Sequence, residues 1–184
     1  MNAADVVSAL GTDPLEQEFA RTAEATRAYV EVTDFRGQLE DGAALRRYLE
    51  AGNATFTVVS RKTGTRFTFR ARRPEPKPNA RRPIWIHVLT GADNESAYSF
   101  LGTLWETPQW GLTFTPSPKS TVGRDAPSRK ALEWLVKCLA VNPAKLFASA
   151  DVWHEGRCGR CGRKLTVPGS IASGFGPECI THQV

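Results

Sequence analysis

Methionine and histidine are scarce in this chain: of 184 residues, one is Met and three are His. No apolar run is long enough to span a bilayer. Residues 1–10 have neither a basic start nor a continuous apolar segment, so no signal peptide is expected there. A Gly-rich phosphate loop, a His-Glu-x-x-His helix and a nucleophile-elbow motif are all missing. The zinc-deaminase pattern is missing too, because Glu155 directly follows His154 and no proline precedes Cys158. These absences argue against an enzyme of a recognisable class and for a non-catalytic protein of the cytoplasm.

Charge of one sign is locally depleted as well. Between residues 51 and 82 there are nine basic side chains and a single acid, Glu75, although the whole chain carries only +5. Residues 1–50 are the reverse, with ten acids and five bases. Such asymmetry bears on the choice of partner through the electrostatic field rather than on the fold.

The chain opens with a helix expected from Asp13-Pro14 to about Tyr29, and a second from Asp41 to Gly52 with Leu45, Tyr48 and Leu49 on its buried face. The period then changes. Phe56 and Val58, followed by Phe67, Phe69 and Ala71, alternate with polar residues on either side of Lys62-Thr63-Gly64, which is the signature of a β-hairpin. Three prolines between Arg73 and Asn79 mark a connection that cannot continue a sheet. Strands are expected over residues 84–89, 97–104 and 111–115. A helix then begins near Ala126-Pro127, with Asp125 as its cap and Ala131, Trp134, Leu135, Cys138 and Leu139 as its core stripe. Asn142-Pro143 stops it, and a short stretch from Val152 to His154, strand-like, leads into the cysteines.

This order gives an α+β fold: an antiparallel sheet of about five strands packed by helices, with a small C-terminal zinc-binding module. The divisions expected are an N-terminal helical segment (1–52), an α+β body (53–150) and the zinc-binding module (151–184).

The module rests on Cys158, Cys161 and Cys179, a Cys-x2-Cys pair and a third cysteine after a seventeen-residue gap. Thiolates at this spacing make a tetrahedral zinc site, which wants a fourth donor. His154, arriving from the preceding strand, is the preferred fourth ligand, and His182, two residues from the C-terminal residue, is the alternative. Four such ligands would make the single Zn2+ structural. Cys138, on a helical stripe, reads as a core thiol, and His87 as a core or sheet-surface side chain.

The run Cys158-Gly-Arg-Cys-Gly-Arg-Lys-Leu-Thr, closed by Gly174-Phe-Gly-Pro-Glu-Cys179, resembles a small zinc-finger-like domain family of unknown function. That family is found in uncharacterised proteins of bacteria and their phages. The resemblance covers roughly residues 154–180 and implies a phage-related protein working in the host cytoplasm. Val167 and Gly169 stand where the family usually has acidic residues, so a bare turn is expected at 168–172.

The remaining functional signal is the basic hairpin. Arg66, Arg70 and Arg72 share one strand face, Arg61 and Lys62 sit at the turn, and Arg73, Arg81 and Arg82 follow in the connection. Such a face neutralises phosphates. A two-stranded ribbon also fits a major groove, with Trp110 or Phe114 available for stacking. The partners expected are DNA or RNA, or alternatively an acidic host protein bound by an inhibitor or adaptor.

Overall fold

The computed structural model describes residues 37–75, 82–109 and 111–182. The helix expected near residues 13–29 lies outside them, as do Arg81 and Trp110. Gly37–Val184 make one compact unit, so the boundaries expected at 52/53 and 150/151 both fall inside it.

Helix α1 (Gly42–Glu50) starts where the Asp41 carboxylate accepts the Ala44 N–H at 2.8 Å. This satisfies one of the amides that a helix start leaves without a partner. It ends before Gly52, whose φ of 81° is the left-handed conformation that ordinary side chains resist. Strands β1 (Asn53–Ser60), β2 (Arg66–Arg72), β3 (Ile84–Leu89), β4 (Tyr98–Thr107) and β5 (Gly111–Pro116) then run as an antiparallel meander. Helices α2 (Pro127–Val141) and α3 (Pro143–Ser149) carry the chain back. Strand β6 (Ala150–His154) pairs with β1, giving a six-stranded sheet in the order β5-β4-β3-β2-β1-β6.

Alternation decides the two faces. Phe56 and Val58, Phe69 and Ala71, Ile84, Ile86 and Val88, and Val152 are buried on the inner face, with Leu45, Leu49, Leu132, Leu135 and Leu139 of the helices in the same core. Each of these side chains except that of Ala71 contributes about 1.5–3 kcal/mol on burial.

Helix α2 is rotated from its expected setting. Leu132 and Val136 are buried, while Ala131 and Trp134 are half-buried at the edge. Cys138 lies in the core, as expected. Asp125 is not the cap; it pairs with Lys130 at 3.0 Å. Asn142 ends α2 and also starts α3, its side chain accepting the Lys145 N–H at 3.1 Å.

Two short helices close the chain, α4 (Pro168–Ser173) and α5 (Pro177–Thr181). The bare turn expected at 168–172 is therefore a helix. Pro168, its first residue, presets the helical φ without needing an acidic cap.

Candidate metal centre and basic faces

The cysteine pair sits on a tight loop fastened at several points. Arg157 and Lys164 form an isolated bridge, the Cys158 N–H donates to the Arg163 carbonyl at 2.8 Å, and the Gly162 N–H donates to the Cys158 carbonyl at 2.9 Å. Gly162 turns the chain with φ 74°. This folding brings Cys158, Cys161 and Cys179 together, with all three sulfurs within 4.8 Å of one another. A tetrahedral zinc with bonds of about 2.3 Å would set its sulfurs about 3.8 Å apart, so the spacing suits one ion.

The electrostatics suit a cation too. Burial pushes the Cys158 thiol up, but the backbone N–H groups of Cys161, Gly176 and Arg160 around its sulfur bring it down to about 7. Cys179 is pushed up to about 11, by burial and then by the neighbouring Cys161 and Cys158 thiols. Three thiolates this close repel, and a divalent ion in their midst removes the repulsion. The three cysteines could thus hold a metal ion.

Neither histidine joins them. The His154 ring is buried, its Nδ1 accepting the Gly156 N–H at 3.0 Å. Its Nε2 therefore carries the proton and donates to the Ile171 carbonyl at 2.7 Å. Both nitrogens are taken, and the preferred fourth ligand is instead a clasp between β6 and α4. Burial holds its pKa below the usual histidine value. His182 faces another cavity, beside Arg47 and Arg82. Among the side chains lining the sulfur cavity, Glu178 is the acidic one.

The loop is seated on Tyr48, which is fully buried. Its hydroxyl lies 3.3 Å from the Thr55 carbonyl and 3.1 Å from that of Arg157, both acceptors for its single proton. The ring meets His154 and Phe175 at centroid distances of 5.4 and 6.0 Å. Gly159 and Gly174 pass so close that a Cβ on either would lie 2.6 or 2.8 Å from Tyr48 Cδ2. Spacing rules pointed to the cysteines but not to this tyrosine.

Residues 148–183 match a family of unknown function, DUF6011. The match takes in β6, the cysteine loop and both closing helices. No curated protein and no solved structure matches the chain.

The basic run divides in space. Strand β2 is flanked by β1 and β3, and β1 by β6, so the hairpin is the middle of a sheet and not a free ribbon. Arg61 at the turn is held by Asp151 at 2.7 Å, and Lys62 beside it is exposed. Arg66, Arg70 and Arg72 lie on the outer sheet face. Across the strands run the rows Arg70–His87–Phe100 and Arg72–Trp85–Thr103. Trp85 is 44% exposed. Trp153 continues the same face from β6, opposite Thr57, and Trp105 extends it on β4, opposite Thr113. Phe114 packs on the core and is not available for stacking.

Arg70 is held over the Tyr98 ring at 3.8 Å, and its Nη1 donates to the Glu95 carbonyl at 2.9 Å. Arg70 Nε, Arg72 Nη1 and His87 Nδ1 are out of reach of solvent and lack a hydrogen-bond partner among the described residues. Burial, and then the Arg70 charge, lowers both the Arg72 and the His87 pKa. Arg73 and Arg82 leave this face. Arg73 pairs with Glu106 and caps α1 at the Glu50 carbonyl, and both arginines line a cavity beside α1.

Proposed function

We propose that the protein is a zinc-binding accessory protein that holds single-stranded nucleic acid on the outer face of its sheet, the zinc being structural. One observation carries this reading: the adjacent rows Arg70–His87–Phe100 and Arg72–Trp85–Thr103. They interleave guanidinium groups with flat rings on a pleated surface. Stacked bases would take the rings, Trp85 first, and phosphates would meet the positive potential of the arginine rows, an arrangement that reads single strands by shape and charge. A duplex cannot lay its stacked bases on the same rings. Arg66, exposed on the same strand face, adds a positive charge within reach of a phosphate.

The zinc would be held by Cys158, Cys161 and Cys179 and would tie the loop at 158–163 to α5. Helices of six and five residues are too short to persist alone, so a metal and the sheet together would keep the module folded.

The test is fluorescence anisotropy with labelled single-stranded and duplex oligonucleotides over a series of salt concentrations. Single strands should bind more tightly, with log K falling linearly in log salt at a slope of about −0.7 per neutralised phosphate. Absence of salt-dependent binding to any strand at low ionic strength would reject the proposal. The acidic-protein alternative would then stand.

A further inference from the structure

A second basic surface lies apart from the outer sheet face. A cavity of about 500 Å³ opens between the end of α1, the connection after β2 and the cysteine loop. Arg47, Arg73, Arg82 and Arg160 line it, with Phe175 and His182. These side chains come from three distant stretches of sequence, and the fold alone assembles them.

Their charges are poorly matched. The Glu50 carboxylate, also at the wall, is held by Arg46 at 2.6 Å. Arg73 is spent on Glu106 and on the Glu50 carbonyl at the end of α1. That leaves three guanidinium groups. Arg82 donates to the Pro74 carbonyl at 3.0 Å and Arg160 to the His182 carbonyl at 3.0 Å, while Arg47 has no hydrogen-bond partner among the described residues. None of the three has a carboxylate partner among those residues. Convergent cations of this kind repel one another, and a multiply charged anion in the cavity turns that cost into binding.

We infer that this cavity is a site for a phosphate monoester. Guanidinium forks match the paired oxygens of a terminal phosphate, and a monoester carries more charge than the diester links along a strand. The volume admits a phosphate with its sugar and base. Such a group is offered by the end of a nucleic-acid strand or by a free nucleotide. The site goes beyond the proposed strand-binding face, because it shares no residue with it. Arg160 lies inside the Cys-x2-Cys loop, so the metal site and this cavity share a backbone segment.

The full chain carries the test, with calorimetric titrations of inorganic phosphate and of adenosine monophosphate. Anisotropy compares otherwise identical single strands ending in 5′-phosphate or 5′-hydroxyl. Inorganic phosphate is expected to bind, and Arg47→Gln with Arg160→Gln to weaken it by on the order of tenfold or more. Both side chains are exposed, so the double variant should keep the wild-type circular dichroism, and Arg47→Lys with Arg160→Lys should restore part of the binding. A preference for the phosphorylated strand identifies a nucleic-acid end as the source; a preference for the mononucleotide identifies a free nucleotide. Trp85→Ala should leave phosphate binding unchanged while weakening both strands, which keeps failure of the sheet-face reading separate. The inference is overturned if inorganic phosphate does not bind, or if the glutamine variant binds it as the wild type does.

Discussion

Tyr48 and Gly159, 111 positions apart in sequence, are in such close contact that a Cβ on the glycine would lie 2.6 Å from the tyrosine ring. The ring is fully buried and tied to two carbonyls, so it cannot step aside. Gly159→Ala should therefore destabilise the protein by about 1–3 kcal/mol, the usual cost of overpacking. Gly169, where a Cβ would meet nothing within 4 Å, is the control. Gly169→Ala, inside α4, should be neutral or gain up to about 1 kcal/mol. Urea unfolding of both variants checks the contrast.

Metal content should be about one zinc per chain after removal of the free ion. Cys158→Ser, Cys161→Ser and Cys179→Ser should each lose it. His154→Ala should keep the metal, since its nitrogens serve the Gly156 and Ile171 backbone, and should lose about 1–3 kcal/mol of stability from the unsatisfied partners. Elemental analysis beside denaturation separates the two effects. Loss of zinc from the His154 variant alone would restore that residue as a ligand.

Acid should weaken the fold in part through His87. Burial, then the Arg70 charge beside it, holds its folded pKa below the usual value. The unfolded chain therefore takes up more protons in the window beneath about 6.5. Stability is fully present above that unfolded value and is lost as the pH falls through it toward the lower folded one. Unfolding free energies at pH 7.5 and 5.5 should differ less in His87→Gln than in the wild type.

Replacing Trp85 tests the sheet face directly. Trp85→Ala should reduce single-strand affinity by about 1–3 kcal/mol, the worth of one stacked base. Arg66→Gln should flatten the salt dependence by about 0.7 in log–log slope if that exposed side chain meets a phosphate. Both are read from the same anisotropy titrations.

Much of the sheet was legible because alternation is a strong signal: Phe69 and Ala71, and Ile84, Ile86 and Val88, are buried in the core, with Phe67 packed at its edge, as their period of two requires. Helix α2 was legible in place but not in rotation. Trp134 invites a core assignment by bulk, yet Leu132 and Val136 fill the space under the sheet. Helix α3 was hidden because Asn142-Pro143 reads as a stop, whereas the same asparagine starts the next helix. The cysteine cluster was legible from spacing alone. Tyr48 was legible only as a buried helix residue, since its partners Arg157, Gly159 and Gly174 lie at the far end of the chain. His154 has ligand spacing, and only the backbone geometry shows its nitrogens to be engaged. The arginine run, continuous in sequence, parts into two surfaces because β2 ends at Arg72 and the chain turns toward α1.

Strand β6 has one more consequence, for whether residues 148–183 could fold apart from the rest of the chain. The first elements of this segment are an edge strand and the buried His154, so it joins its surroundings by sheet pairing as well as by side-chain packing. Cut free, it would present an unpaired edge and lose the ring that seats its loop. The segment is thus a plug and not a free-standing finger: in this chain it needs the β1 edge and the Tyr48 ring facing Gly159 and Gly174.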